Sequence, residues 1–236
     1  TTHYMMGGVR VDSDTQMSRI PGLFACGECA AGINGANRLG GNSLSDLLVL
    51  GKRAGEYAAQ YAKDGSAGQI HGDQVEAAAR WALEPFERAG DENPFKVQQD
   101  LQDMMQDLVG IVRREDEMLR ALDGLQQLRA RAAQCKVPGN REFNPGWHTA
   151  LDLHNLLTVS EGITKAAIVR KESRGGQYRD DYPRKDNANF GKVNTITWRA
   201  PDGTMQVRLE PIPPMPDELK EAIKAEGGGQ LPEELK

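Results

Sequence analysis

The chain has 236 residues, 39% of them hydrophobic and 27% charged, and its 29 Lys and Arg stand against 34 Asp and Glu, for a net charge of −5. This composition is too apolar for a disordered chain and too acidic for a broadly basic nucleic-acid binder, and the length suits one large domain or two small ones. Three cysteines are too few for a disulfide scaffold, and no apolar run is long enough to span a membrane.

The first region, residues 1–64, is rich in glycine and turns, and we expect it to be an incomplete piece of an α/β domain. The chain has no initiator Met and opens directly on motif-like sequence, so we expect it to be part of a longer protein. Val9 and Val11 alternate with polar neighbours as in a half-buried strand, and the apolar run 23–26 predicts a short buried strand. A glycine-rich loop over residues 30–41 follows.

A helix is predicted from Ser43 to about Lys63, because apolar residues recur there at helical spacing and Asn42 stands at the N-cap position. Gly51 and Gly55 lie four residues apart on this helix. Each lowers the intrinsic stability of the helix by roughly 1 kcal/mol relative to alanine. We therefore expect another backbone to pack closely against the helix at these two glycines.

The next region, residues 73–183, is predicted to be an antiparallel helical bundle, joined to the first region by a linker at 65–72. Each helix is predicted from apolar residues at helical spacing, and two of the helices begin at an Asn-Pro pair that is typical of a helix start. The predicted helices are residues 73–89, a second from Asn93-Pro94 to Gly110, a third over 115–133, and a fourth from Asn144-Pro145 onward.

The last region, residues 184–236, is predicted to hold a small β-hairpin and a partly mobile acidic tail. Residues 195–198 and 205–209 alternate like strands around the turn-forming sequence at 200–203. Residues 210–236 hold seven acidic and three basic side chains together with several prolines and three consecutive glycines. We expect this end to be extended. The whole chain is predicted to be mainly helical.

The stretch that carries most chemical information is the predicted strand, the glycine loop and the following helix. Small residues let a ligand approach backbone N–H groups, and a helix N-terminus favours an anion or an electron-rich ring edge. Arg38 adds a planar set of donors that matches a carboxylate, and Glu28 can accept hydrogen bonds from sugar-like hydroxyls. The alternative is a purely structural turn with a surface arginine and glutamate.

Three further features have competing interpretations. His3 beside two glycines could donate to a substrate carboxylate, although a histidine near a terminus is more often solvated or structural. Cys26 and Cys29 form a C-x-x-C pair that we interpret as two small buried residues, because neither a redox helix start nor further zinc ligands accompany them. Residues 170–185 mix basic and acidic side chains, which is typical of a solvated face or an interdomain ion-pair network rather than a phosphate site.

Several segments together resemble the flavoprotein subunit of succinate dehydrogenase and fumarate reductase. They are His3-Tyr4-Met5-Met6-Gly7-Gly8, Gly27-Glu28 and the run from Gly35 to Leu44, and then Arg170 to Gly176 with Asp180-Asp181-Tyr182-Pro183. The likeness covers nearly the whole chain but only the second half of that subunit. The family's dinucleotide fingerprint, its flavin-attaching histidine and its proton-shuttling arginine lie upstream, so the resemblance assigns no catalytic residue to this chain.

The resemblance implies two groups of binding residues. His3 and Arg38 correspond to residues that bind a substrate carboxylate. The residues that correspond to the FAD contacts are Glu28, Asn42, Ser43 and Leu44, the last three at the helix start beneath the flavin pyrimidine. Gln177 stands where many members have a histidine, so no role is assigned to it. No metal ligand is expected.

The resemblance implies an FAD-dependent oxidoreductase that interconverts succinate and fumarate and passes electrons to an iron–sulfur subunit. A membrane anchor would then hold it, through its partners, at the cytoplasmic inner face of the membrane. An L-aspartate oxidase-type flavoprotein is the alternative enzyme; the Leu39-Gly40-Gly41 run and the hairpin favour the dehydrogenase. A non-catalytic helical docking or scaffold module is the alternative from another class, and the chain alone is expected to be inactive.

Overall fold

The computed structural model describes residues 3–65 and 68–225, and across them the chain is mainly helical, as predicted. The chain forms two compact units, residues 1–78 and 79–236, which divide within the second helix. The predicted linker over 65–72 lies just before this division, and its residues 66 and 67 fall outside the described part. None of the described helices is both long and apolar enough to cross a membrane.

The first unit contains a short 3-10 helix, Gly27–Cys29, and the long helix α1, Asn42–Asp64. The strand predicted over 23–26 is wrong: only isolated bridges form, between Met17 and Phe24, Val11 and Ser18, and Val9 and Ala30. The chain cannot continue as a strand because Gly27 takes a φ of +67° and turns it into the 3-10 helix.

Helix α1 differs from its prediction at two points. Its N-cap is Gly41, with a φ of +83°, and Asn42 is the first helical residue, so the predicted Asn42 cap is wrong. No backbone packs at the two helical glycines: a Cβ on Gly51 would meet only the Cys26 Sγ, at 4.0 Å, and one on Gly55 would meet nothing within 4 Å. Among the described residues, Gly55 therefore faces open space, and Gly51 has a side chain beside it rather than a backbone.

Helix α2 and the helices of the second unit begin where their local signals predict. Helix α2 is Gly72–Glu87, α3 is Pro94–Val109, α4 is Glu115–Ala132 and α5 is Pro145–Val169. The Asn93 side chain accepts a hydrogen bond from the Phe95 amide at the start of α3, and Asn144 does the same for Trp147 in α5. Proline follows each cap at a position where a backbone N–H is not needed.

The main core lies where α3, α4 and α5 pack on one another. Each helix contributes apolar residues from the face that its spacing predicts, and α5 also packs against both strands of the C-terminal hairpin. The buried core residues are Val97, Leu101, Leu125, Leu128, Cys135, Leu153 and Leu157, with a second cluster of Val109, Met118, Ala121 and Ala167.

The C-terminal region holds an antiparallel pair of strands, β3 at Val193–Arg199 and β4 at Met205–Pro211. Gly203, with a φ of +84°, closes the turn between them. The extended tail predicted from residue 210 is wrong in part, because helix α7 forms at Asp217–Ala225. A Lys220–Asp217 ion pair of 2.8 Å, three residues apart, favours this helix. Residues 226–236, the rest of the predicted mobile tail, lie outside the described residues.

A buried ion network occupies the region that follows α5. Strand β1, Val112–Arg113, pairs in parallel with β2, Tyr178–Arg179, and the short helix α6, Asn187–Phe190, follows. The side chains of Glu172 and Arg179 are fully buried. The charged residues of 170–185 therefore do not form the predicted solvated face, because Glu172 and Arg179 at the centre of the network are buried.

Each buried charge of this network is matched by several partners. The Glu172 carboxylate accepts hydrogen bonds from Arg170 at 2.9 Å, from Arg174 at 2.8 and 3.0 Å, and from the Asp186 amide at 2.9 Å. Burial alone would raise the pKa of Glu172, but these donors together hold it below its usual value. Arg179 donates to Asp181 at 2.7 and 2.8 Å and to the Ala167 carbonyl at 2.7 Å.

The Asp181 carboxylate should make the stability of the protein depend on acid pH. Hydrogen bonds from Arg179 lower the pKa of the Asp181 carboxyl in the folded protein to about 2. Between this value and the higher pKa of the unfolded chain, the Asp181 carboxylate is protonated more readily in the unfolded state than in the folded state. The contribution of Asp181 is therefore complete above about pH 4 and is lost as the pH falls towards 2. We expect the stability difference between the wild type and Asp181→Asn, measured by urea unfolding, to shrink over this range. A difference that is constant from pH 5 to pH 2.5 would contradict this expectation.

Candidate functional site

The candidate site lies in the first unit, where residues 3–9 run beside residues 28–31. The Val9 amide donates to the Cys29 carbonyl at 2.7 Å, and the Ala31 amide donates to the Val9 carbonyl at 2.9 Å. The two backbones approach so closely that a Cβ on Gly8 would lie 2.3 Å from the Cys29 carbonyl oxygen. Glycine at this position, with a φ of +142°, therefore brings the predicted substrate segment next to Glu28.

Glu28 is exposed and is held by one backbone contact. Its Oε1 accepts a hydrogen bond from the Met5 amide at 2.8 Å. This bond fixes the direction of the carboxylate while its other oxygen retains the capacity to accept from a ligand hydroxyl. The structure thus links Glu28 to the segment that contains His3.

Arg38 is half-buried and lies between that segment and the start of α1. Its Cζ is 4.4 Å from the centre of the Tyr4 ring, and its Nη1 donates a hydrogen bond to the Ser43 hydroxyl. The ring stacks against the face of the guanidinium, whereas the N–H donors lie at its edge. The geometry therefore orients the guanidinium and leaves its Nε–Nη2 edge compatible with a bidentate carboxylate.

The start of α1 is suited to an electron-rich ligand. Its N-cap, Gly41, provides no side-chain hydrogen bond, and its first turn contains no acidic residue. The partial positive charge of the helix N-terminus is therefore not offset locally. A hydrogen bond of 2.8 Å from the Asn34 amide to Asp46 ties the glycine loop to the second turn of the helix.

The predicted site residues are only partly brought together. Arg38 contacts Ser43, and Glu28 contacts Met5, but His3 is exposed and makes no hydrogen bond that the structure shows. Leu44 is also exposed, at 66%. Sequence reasoning missed Tyr4, because nothing local to that residue predicts that its ring stacks on a guanidinium more than thirty residues away.

The two cysteines of the C-x-x-C pair differ from the prediction in their exposure. Cys26 is half-buried and Cys29 is exposed, and both are free thiols, so the interpretation as two buried residues is wrong. The Cys29 thiol donates to the Cys26 carbonyl at 3.1 Å within the 3-10 turn. Across residues 3–65 and 68–225, no group of three or more His, Cys, Asp or Glu side chains could hold a metal ion.

Comparisons with known proteins match two family models to this chain. Residues 1–44 match the family model of an FAD-binding domain, and residues 98–222 match that of the fumarate reductase flavoprotein C-terminal region. The fumarate reductase flavoprotein subunit of Haemophilus influenzae is 37% identical over 216 residues, which are 89% of this chain and 35% of the relative.

Solved structures show the same likeness. The Mycobacterium smegmatis Sdh1 complex in its apo form aligns with a TM-score of 0.87 and 46% identity, over 99% of this chain and 40% of that chain. The Escherichia coli quinol fumarate reductase with a substituted FrdA aligns with a TM-score of 0.80 and 33% identity, over 92% of this chain and 38% of that chain. The chain therefore spans only about 35–40% of the length of these relatives.

The FAD-domain match and the flavoprotein relatives place the chain in a class of flavoproteins, and the prediction of FAD as the cofactor is confirmed. The chain belongs to the fumarate reductase flavoprotein C-terminal family, whose model covers more than half of it. The predicted resemblance is confirmed by these matches.

Proposed function

We propose that this chain is the C-terminal part of an FAD-dependent oxidoreductase that interconverts succinate and fumarate. The observation that carries the proposal is the position of Arg38, stacked on Tyr4 and hydrogen-bonded to Ser43 at the start of α1. A carboxylate at the edge of this guanidinium would lie beside both the segment that holds His3 and the positive end of a helix. The relatives named fumarate reductase and succinate dehydrogenase flavoprotein subunits support the same activity.

His3 and Arg38 bind the substrate carboxylates in this proposal. Charge-assisted hydrogen bonds contribute about 1.5–3 kcal/mol each, which is enough to orient a small dicarboxylate for reaction. The Ser43 hydroxyl and the Tyr4 ring are positioning groups, since they restrict the guanidinium without contacting substrate.

Glu28, Asn42, Ser43 and Leu44 are the residues that we propose hold FAD. The Glu28 carboxylate accepts from cofactor hydroxyls, and the N-terminus of α1, which no side chain caps, faces the electron-rich edge of the ring system. When bound, FAD supplies the hydride-transfer chemistry. The helix N-terminus stabilises negative charge at that edge by up to ~2 kcal/mol.

The proposed partners follow from the same family. Relatives of the chain are subunits of multi-subunit complexes, including one solved as quinol-fumarate reductase with menaquinol molecules. We propose that an iron–sulfur subunit accepts or supplies the electrons and that a membrane anchor holds the complex at the cytoplasmic face of the membrane. The bundle and hairpin of the second unit then carry no reacting group.

Substrate preference tests the proposal. We expect the intact flavoprotein that contains this chain to turn over succinate or fumarate with a kcat/KM well above that for L-aspartate. A preference for L-aspartate would establish the aspartate oxidase alternative instead. No turnover of any of the three by the FAD-loaded protein would leave the scaffold module as the better interpretation.

The chain alone should bind FAD weakly and show no turnover. The described residues supply Glu28 and one helix start, whereas the apolar side chains around that start are exposed: Leu39, Leu44 and Leu48 by 74%, 66% and 75%. We expect isothermal titration of the chain with FAD to show no binding tighter than about 10 µM. Tight binding at one FAD per chain would contradict this expectation.

A further inference from the structure

Asn34 and Asp46 make a side-chain contact beside Arg38 that the proposed function does not use. The Asn34 amide nitrogen donates a hydrogen bond to the Asp46 carboxylate at 2.8 Å, and both side chains are half-buried. A carboxylate only accepts hydrogen bonds, so Asn34 must be the donor. The glycine loop brings the two residues together, because Gly32 and Gly35, with φ of +97° and +55°, turn the chain on either side of Asn34.

Asp46 lies on the same face of α1 as the hydrogen-bond partner of Arg38. That partner is Ser43, which accepts from Arg38 Nη1 and precedes Asp46 by three residues. Side chains three residues apart on a helix are neighbours, with Cβ atoms about 5–6 Å apart. The burial pattern agrees, since Leu50 and Ala54 continue the same less exposed stripe along α1. The Asp46 carboxylate is therefore within one helical turn of the site where the guanidinium is bound.

A carboxylate in this position is a competitor for Arg38. The guanidinium binds carboxylates through parallel N–H donors, and a carboxylate of the protein fits them as well as a carboxylate of a substrate does. Arg38 and Asp46 are both described by the structure, and they form no ion pair with each other. The structure instead shows the Asp46 carboxylate bound to the Asn34 amide.

We propose that Asn34 is a positioning residue for Arg38. Its amide holds the Asp46 carboxylate away from the guanidinium, so the arginine remains available to a carboxylate of the substrate. This inference rests on the proposed function, because it takes Arg38 as a substrate-binding residue. Neither Asn34 nor Asp46 touches the substrate.

Binding of fumarate to the intact flavoprotein with its flavin oxidised tests the inference. No hydride is available to fumarate in this state, so isothermal titration measures binding without turnover. We expect Asn34→Ala to raise the dissociation constant at least roughly tenfold, because the released Asp46 carboxylate pairs with Arg38. A dissociation constant equal to that of the wild type would overturn the inference.

Removing the charge of Asp46 separates competition for Arg38 from a simple loosening of the glycine loop. The double variant Asn34→Ala with Asp46→Asn lacks the hydrogen bond but also lacks the competing carboxylate, so it should recover the affinity of the wild type. Asp46→Asn alone keeps an oxygen that can accept from Asn34, and it should bind fumarate at least as tightly as the wild type. A double variant as weak as Asn34→Ala, or weaker binding in Asp46→Asn, would contradict the proposed role of Asn34.

Gln60→Ala is the matched control on the same helix. The Gln60 amide donates to the Asp64 carboxylate at 2.7 Å at the far end of α1, so its loss should leave fumarate binding unchanged. The visible absorbance of the flavin checks that each variant retains FAD. An equal loss of affinity in Gln60→Ala would show that the contact beside Arg38 has no special role. A wild type that binds neither fumarate nor succinate would overturn the proposed function together with this inference, whereas contrary results in the variants alone overturn only the inference.

Discussion

Replacing Arg38 by alanine in the intact flavoprotein is expected to lower kcat/KM for fumarate by roughly 10²- to 10⁴-fold, the loss of two charge-assisted hydrogen bonds to a carboxylate. The fold should be unaffected, since the side chain is only half-buried and its hydrogen bond and ring contact, to the Ser43 hydroxyl and the Tyr4 ring, lie at the surface of the first unit. Steady-state kinetics over a range of fumarate concentrations measure the effect, and circular dichroism monitors the fold.

Two further variants separate the role of the guanidinium from that of its charge. Arg38→Lys keeps the charge but loses the planar set of donors, so it should recover only a small part of the activity. Arg53→Ala removes an exposed arginine of α1 that pairs with Asp14 at 3.7 Å, and it should behave like the wild type. A kcat/KM in Arg38→Ala equal to that of the wild type would show that Arg38 does not bind the substrate.

The largest loss of stability is expected from Arg179→Ala, which should lower the free energy of unfolding by roughly 3–5 kcal/mol. The substitution leaves Asp181 without its principal partner and leaves the Ala167 carbonyl at the end of α5 without its 2.7 Å donor. The Arg179 side chain is fully buried, so water cannot take its place readily. Urea unfolding followed by circular dichroism measures the change.

An exposed arginine of the same region provides the matched control. Arg114 pairs with Asp180 at 2.9 Å, but the side chains of both residues are about half exposed. Arg114→Ala should therefore leave the unfolding midpoint nearly unchanged, because exposed ion pairs are screened by water. If Arg179→Ala and Arg114→Ala have the same free energy of unfolding, the burial of Arg179 does not add to the stability of the protein.

The sequence predicts the helices of the second unit well because their signals are local. Asn93 and Asn144 each cap a helix whose next residue is proline, and Gly110 ends α3, all as predicted. Helix α7 was not predicted, because the prolines and the high charge of residues 210–236 are typical of an extended tail. The Lys220–Asp217 pair that favours it is a weak signal on its own.

The first unit was predicted less well because its structure depends on distant contacts. The apolar run at 23–26 has the composition of a strand, but it makes only one bridge, Met17 to Phe24, before Gly27 turns the chain. A motif predicts that Arg38 binds a substrate carboxylate. Its position between Tyr4 and Ser43, however, follows from packing that no local pattern encodes.

The burial of the charged residues in 170–185 could not be predicted from the sequence either. Alternating signs along the sequence are typical of a solvated surface, and nothing local distinguishes Arg179, which is fully buried, from Arg184, which is exposed. The difference arises because β2 pairs with β1 and carries Arg179 beneath the end of α5.

The close approach at Gly8 couples the two halves of the candidate site mechanically. Any side chain there would wedge residues 3–9 away from Cys29, and the Met5–Glu28 hydrogen bond would stretch with them. The distance between the segment that holds His3 and Glu28 therefore depends on glycine at position 8, in natural variants and in designed ones alike. In a mutational scan, Gly8 would score like a residue that binds a ligand, although it offers no side chain for one to touch.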